Sequence, residues 1–401
     1  MWAIPAAFNE SLQQEFTMPR SIETVTLPVV LQGTVRSLQV FRYGKAGAGP
    51  KIYIQGALHA GEMPGPLVIH HLTRLLDEAD ANGEIHGEVV LVPLANPIGF
   101  AQDLSGTHYG RFDQASRENY NRGFPWIGAE VAARIGDQLT TDARFNVQLV
   151  RKTARKILDQ ATARTEFDHL RLALMRMAID ADYCFDLHCA GEAPLYIYCD
   201  DDPGEGRVAE FAAQLGSEAT FIHAYMEEGR PFSSAVGQLW LQVARAVGDS
   251  GKPLVQPGLS GTVELRGSRD VDDATNAADA ANLLRYMMRR GIVAGDPGPL
   301  PEAKAEPQPI TACDHGYAPR TGILAYTVPV GAQLRRGDEV CCIVDPSIAD
   351  FAAARFPVLA GCDGILFDRA GDRLARAGEQ IFRIAANEPL PHRFGKTALD
   401  D

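Results

Sequence analysis

From Lys51 to Arg290, short apolar runs alternate with longer stretches of helical spacing, and this alternation constrains the fold of the 401-residue chain more than any other feature. Strands are expected over 52–58, 89–94, 183–188, 195–199, 220–224 and 262–265. Helices are expected over 66–79, 151–178, 205–215, 234–247 and 273–290. Apolar strands separated by helices bury both sheet faces, so the pattern predicts an α/β fold with a mixed or largely parallel sheet. Upstream, 24–40 carries short β-branched stretches that read as an antiparallel leading segment.

The texture changes after this region. Residues 294–309, AGDPGPLPEAKAEPQP, form a proline-rich linker. Beyond them, 310–386 is a succession of short, glycine-bounded strands. Three parts are therefore expected: an α/β domain at 1–293, the linker at 294–309, and a small all-β domain with its tail at 310–401. The last part resembles the barrel-sandwich hybrids of the biotinyl and lipoyl type. Ala360-Gly361-Cys362-Asp363-Gly364 stands where those carriers present a modifiable lysine, so a rim or lid is expected rather than a swinging arm.

In α/β folds, ligands collect at the carboxyl ends of strands, which directs attention to the ends of two apolar runs. After Ile52-Tyr53-Ile54 comes GALHAGE, with His59 three residues before Glu62. After Tyr183-Cys184-Phe185 comes DLHCAG, with His188. Residues three apart at the start of a helical turn share a face. Two histidines and one glutamate are an attested catalytic zinc set that leaves a fourth position for water. His-x-x-Glu also arises by chance and then forms only a surface hydrogen bond. Asp186, two residues before His188, shares its side of the strand and could orient the imidazole, or equally cap a helix.

The stretch 96–125 is irregular, yet Phe100, Tyr109, Phe112, Tyr120 and Phe124 argue that it is ordered. It holds Arg111, Arg117 and the pair Asn121-Arg122. An arginine fork with an amide donor beside it suits a carboxylate; solvated loop arginines paired with Asp103, Asp113 or Glu118 are the alternative. Glu264, in GTVELRG, could serve as a general base to a metal-activated water, or sit at an exposed strand edge. His70, His71, His223 and His315 are read as packing or surface residues, and His108 lies close to Arg111.

Charge excludes one class of partner. With 51 acidic and 38 basic residues, the net charge is −13, and no basic run offers a phosphate-binding surface. Nucleic acid is not expected. No apolar window is long enough for a membrane span, the N-terminus lacks a basic leader, and seven cysteines without C-x-x-C fit a reducing cytoplasm.

Taken in order, HAGE, NPIGF, the R…NYNRGFP loop, DLHCAG and TVELRG resemble the succinylglutamate desuccinylase/aspartoacylase family of the zinc carboxypeptidase clan, over about residues 50–290. The resemblance implies a zinc-carboxypeptidase-like mixed sheet flanked by helices, and one Zn2+ per chain on His59, Glu62 and His188. It also implies Glu264 as the catalytic glutamate, Asn121 and Arg122 holding a substrate carboxylate, and Arg111 polarising the scissile carbonyl. Arg117 stays a rival to Arg111, because their spacing to Asn-Arg differs among branches. The expected activity is hydrolysis of the amide of a small N-acylated amino acid. A peptide-cleaving carboxypeptidase and a non-catalytic binding protein are the alternatives. The acyl group, the amino acid and any homo-oligomer stay open.

Overall fold

A computed structural model describes residues 20–28, 32–200, 206–223, 229–249 and 251–394. The leader reading at 1–19, the tail at 395–401, and the expected element ends Glu205 and Ala224 lie outside these residues.

One nine-stranded mixed sheet organises the first three quarters of the chain. β1 (Ser21–Thr26) and β2 (Ser37–Tyr43) form the antiparallel lead-in. β3 (Lys51–Gly56) and β4 (Glu88–Val92) run parallel, with a two-stranded hairpin of β5 (Asp103–Leu104) and β6 (Thr107–His108) standing apart. β7 (Tyr183–Ala190), β8 (Leu195–Asp200), β9 (Ala219–His223), β10 (Leu259–Gly267) and β11 (Gln308–Pro309) complete the order β1-β2-β4-β3-β7-β10-β8-β9-β11. Thus the expected linker ends as an edge strand beside β9.

Side chains alternate across the sheet as period-two geometry requires. Ile52, Ile54, Val89 and Leu91 face one core with α1 (Pro64–Ala81), while Tyr53, Val90 and Val92 face a second core on the other side. That second core is covered by α2 (Gly128–Ile135), α3 (Ala143–Gln160), α4 (Glu166–Ala178), α6 (Phe232–Gly237) and α7 (Leu239–Val247). α5 (Arg207–Leu215) and α8 (Asp273–Arg289) join α1. Burying both faces makes the inner strands near-continuously apolar, as the sequence pattern implied.

Two expectations for helices need correction. The single helix expected at 151–178 is α3 and α4. Ala161 is extended, and Thr165 begins α4 with a reciprocal capping box to Asp168. The helix expected at 234–247 divides at Gln238, and α2 was not foreseen.

The C-terminal part holds β12 (Cys313–Tyr317), β13 (Gly322–Tyr326), β14 (Gln333–Leu334), β15 (Glu339–Val344), β16 (Arg355–Leu359), β17 (Gly364–Arg369), β18 (Leu374–Ala375) and β19 (Gln380–Ala386). They make two four-stranded antiparallel sheets, β12-β19-β17-β14 and β16-β15-β13-β18, around Leu324, Val340, Leu366, Phe382 and Ile384. The first sheet docks on the central one. The Phe367 ring lies 5.0 Å from Tyr196 and 5.1 Å from Phe221, and the Glu192 and Arg369 backbones form a bridge. No helix among the described residues is long and apolar enough to cross a membrane, and all seven cysteines are buried thiols.

Candidate metal centre and its cavity

Strand register sets the site. Glu264 of β10 pairs with His188 of β7 on one side and Tyr196 of β8 on the other; Thr262 pairs in the same way with Asp186 and Tyr198. Directly paired residues share a face, so these six side chains form two rows across three strands near the carboxyl ends of β7 and β10. His59 and Glu62 reach the same place from the turn between β3 and α1. That turn starts with Ala57 in the left-handed region (φ 55°), and Gly56 and Gly65 let the strand end and α1 approach so closely that a Cβ on either would lie about 3 Å from backbone.

Ligand atoms of His59, Glu62 and His188 all lie within 4.8 Å of one another. Glu62 splits its carboxylate between the two imidazoles, with Oε1 3.0 Å from Nδ1 of His59 and Oε2 2.8 Å from Nδ1 of His188. Each far nitrogen has its own anchor. Nε2 of His59 lies 2.8 Å from Asn119 Oδ1, and Nε2 of His188 lies 2.8 Å from Asp186 Oδ2. Such outer contacts fix ring orientation and leave both Nδ1 atoms facing one point. Behind Asp186 the order continues, because Gln55 donates to it at 3.0 Å and Tyr53 donates to Gln55 at 2.8 Å.

Electrostatics follows from this packing. Burial pushes the Glu62 carboxyl up, but the adjacent imidazoles outweigh it and hold it below the ordinary range. Burial holds His59 below its usual value. For His188, the desolvation that would lower it is overcome by the Asp186 and Glu62 carboxylates, which raise it well above the usual imidazole range. Burial raises Glu264 to about 7, against the opposing pull of His188 and with some help from Glu62. Its Oε2 is buried without a hydrogen-bond partner. A lone buried carboxylate oxygen on a cavity wall is costly unless a ligand or water completes it.

The cavity gathers most of the expected residues: His59, Glu62, Arg111, Asn121, Arg122, His188 and Glu264 line it together. Arg111 extends Nη1 to 3.2 Å from His59 Nδ1 and 3.3 Å from Glu62 Oε1, and half its side chain stays exposed. Arg117, its rival, lines a neighbouring groove with Leu104, Tyr109 and Phe112, a groove that Arg111 also borders. Asn121 is oriented by the Phe232 backbone N–H, which donates to its Oδ1 at 2.8 Å; its Nδ2 stands 3.2 Å from His188 Nε2. The 96–125 segment carries a short 3-10 turn, the β5–β6 hairpin and its own hydrogen-bond network. Gln102 donates to two loop carbonyls, and the Tyr120 hydroxyl shares its one proton between Gln102 Oε1 at 3.0 Å and Asp113 Oδ1 at 3.2 Å.

Several residues of the site escaped the sequence reading. Asn119, Tyr198, Ser233, Thr262 and Arg383 touch the ligands or line the cavity. His223, read as packing or surface, is buried in the cavity wall, and burial lowers it to about 4. The alternation Tyr196-x-Tyr198 and Thr262-x-Glu264 was the available signal, since both pairs must share a face once one member does. His108 sits exposed on the hairpin, 6.1 Å ring to ring from Phe100.

Comparison with known proteins gives one family match: the model of the succinylglutamate desuccinylase/aspartoacylase catalytic domain covers residues 48–238. No curated protein matches the chain. Among solved structures, a succinylglutamate desuccinylase/aspartoacylase family protein from Shewanella amazonensis is 24% identical with a TM-score of 0.78, over 92% of this chain and 99% of that one. Another from Shewanella frigidimarina is 22% identical with a TM-score of 0.79, over 92% and 98%. The product-bound ectoine utilization protein of Ruegeria pomeroyi is 18% identical with a TM-score of 0.63, over 92% and 99%. At these identities the likeness is one of fold, and it extends through the C-terminal sheets.

Proposed function

Because residues 48–238 belong to the succinylglutamate desuccinylase/aspartoacylase family, we propose that this chain is a zinc-dependent hydrolase that releases an amino acid from a small N-acylated precursor. One observation carries the reading: three ligand atoms converge within 4.8 Å beside a buried glutamate oxygen that has no partner. Two neutral-capable imidazoles and a carboxylate are a donor set that suits Zn2+.

His59, Glu62 and His188 would hold the ion, one per chain, which when bound acts as a Lewis acid that acidifies water and polarises a carbonyl oxygen. Asn121 and Arg122 hold the substrate carboxylate and thereby fix the amide in the cavity. Arg111 donates to the carbonyl oxygen as it gains charge; losing one such donor typically costs about two to three orders of magnitude in rate. Glu264 Oε2 takes the proton of the attacking water and returns it to the amine nitrogen as the C–N bond breaks. Without a metal, burial raises this carboxyl to about 7; a dication beside it would draw it back toward the carboxylate form that takes the proton.

Arg383, from the C-terminal sheet, stands in the wall of the same cavity, and a site closed on that side favours a small substrate over an extended peptide. The test is zinc titration of metal-free protein, followed by amine release from a panel of N-acyl amino acids and short peptides. Stoichiometric zinc with turnover of N-acyl amino acids supports the proposal. Failure to bind zinc, or turnover of peptides alone, overturns it.

A further inference from the structure

Among the described residues that line the cavity, Arg383 is the one that comes from the C-terminal sheets. Its guanidinium is held at three points: Nε donates to Asp368 Oδ2 at 2.9 Å, one Nη donates to Tyr198 OH at 2.7 Å, and the other to Tyr196 OH at 2.9 Å. A guanidinium carries five N–H donors, so one proton on each Nη remains beyond these bonds. Asp368 is hidden, with 9% of its side chain exposed, whereas Arg383 keeps 15% exposed, and it borders the cavity.

The sheet has attachments besides this residue. Glu192 already bridges the Arg369 backbone and pairs with the side chains of Arg369 and Arg373. Position completes the argument. Tyr196 and Tyr198 lie on the β8 side of Glu264, and Asn121 touches His188 on the β7 side. Arg122 and Arg383 both line the cavity, Arg122 next to Asn121 and Arg383 held on the two β8 tyrosines, while Glu264 sits on the strand paired between β7 and β8.

Resting on the hydrolase reading for its substrate but not for its test, we propose that Arg383 is a specificity residue that binds a second carboxylate of the substrate, at the end away from Asn121 and Arg122. The C-terminal sheets are then part of the substrate site. A rigid guanidinium aimed by two phenols and a carboxylate is pre-organised for a second carboxylate, and a neutral acyl group offers its two remaining N–H donors no charged acceptor.

Calorimetric titration of the zinc-loaded protein with succinate and with acetate tests this without turnover. Wild type is expected to prefer succinate, and R383Q to bind it about tenfold or more weakly with acetate affinity unchanged. Absence of a succinate preference in wild type overturns the assignment, as does an unchanged preference in R383Q or an equal loss for both anions, which would mark a purely structural clamp. If R383Q does not fold, R383K gives the same reading: a reduced succinate-to-acetate ratio supports the proposal and an unchanged ratio overturns it. A preference that depends on Arg383 in a protein that cleaves no amide would leave this inference standing and remove the hydrolase reading.

Discussion

Asn119 Oδ1 accepts a hydrogen bond from Nε2 of His59 at 2.8 Å, which keeps the proton on Nε2 and leaves the Nδ1 lone pair to accept from Arg111 Nη1 at 3.2 Å or to meet a cation. Asn119 thus decides which tautomer His59 presents to the cavity. Its own placement comes from the loop, where the Asn121 backbone N–H donates to the same oxygen at 2.8 Å. Losing such a support typically weakens a metal site about 10- to 100-fold. Asn119→Ala should lower zinc affinity in that range, as read by competition with a chromogenic chelator; wild-type affinity in the variant would show that the tautomer is fixed by other contacts.

Zinc binding should release a proton. In the metal-free protein His188 lies between Glu62 and Asp186, at 2.8 Å from each, and their charges hold it protonated well above the usual imidazole range despite burial. His59 is held below that range by burial and is already neutral. A metal ion must therefore displace the Nδ1 proton of His188. Binding enthalpies measured at neutral pH in two buffers of different ionisation enthalpy should differ by about one proton's worth, and affinity should climb with pH. Identical enthalpies in the two buffers would contradict this protonation state.

The candidate ligand cluster was legible because its members sit at the ends of apolar strands, with His59 and Glu62 within one turn of each other. Local spacing carries such information. Asn119, His223 and Arg383 were not legible, because long-range pairing brings them in: the 119–122 turn folds back on β7, β9 pairs with β8, and β19 docks over Tyr196 and Tyr198. The break between α3 and α4 is a different kind of miss. Apolar spacing runs through 151–178 almost continuously, and the start signal Thr165-x-x-Asp168 was present but outweighed. Where period and cap disagree, the cap marks the boundary better, because it satisfies backbone donors that periodicity ignores.

Docking of the C-terminal sheet should hinge on Gly191. A Cβ there would lie 2.5 Å from the Gly371 backbone nitrogen and 2.9 Å from the Arg369 carbonyl oxygen, and neither backbone can yield as a side-chain tip would. Gly191→Ala should destabilise the protein by about 1–3 kcal/mol, the usual cost of overpacking. Loss of the contact over Tyr196 should also increase proteolytic cleavage between 294 and 309. An unchanged melting temperature and cleavage rate would show that the two backbones can separate without cost.

Glu264 should make the metal-free protein less stable as pH rises. Its carboxyl moves from an ordinary 4.5 to about 7 in the folded chain, chiefly because burial penalises the charge. The folded state therefore binds the proton more tightly than the unfolded state. That contribution is fully present below about 4.5, declines between 4.5 and 7, and is gone above 7. At 1.36 kcal/mol per pH unit, the range amounts to about 3 kcal/mol. Glu264→Gln keeps the shape and removes the titration, so its unfolding free energy in chelator should lack this decline and exceed that of wild type at pH 8 relative to pH 4. Zinc is omitted from the comparison because a nearby dication itself favours the carboxylate. Parallel pH profiles for the two proteins, measured by urea denaturation, would mean that solvent reaches Oε2 freely and that Glu264 is not held near neutrality.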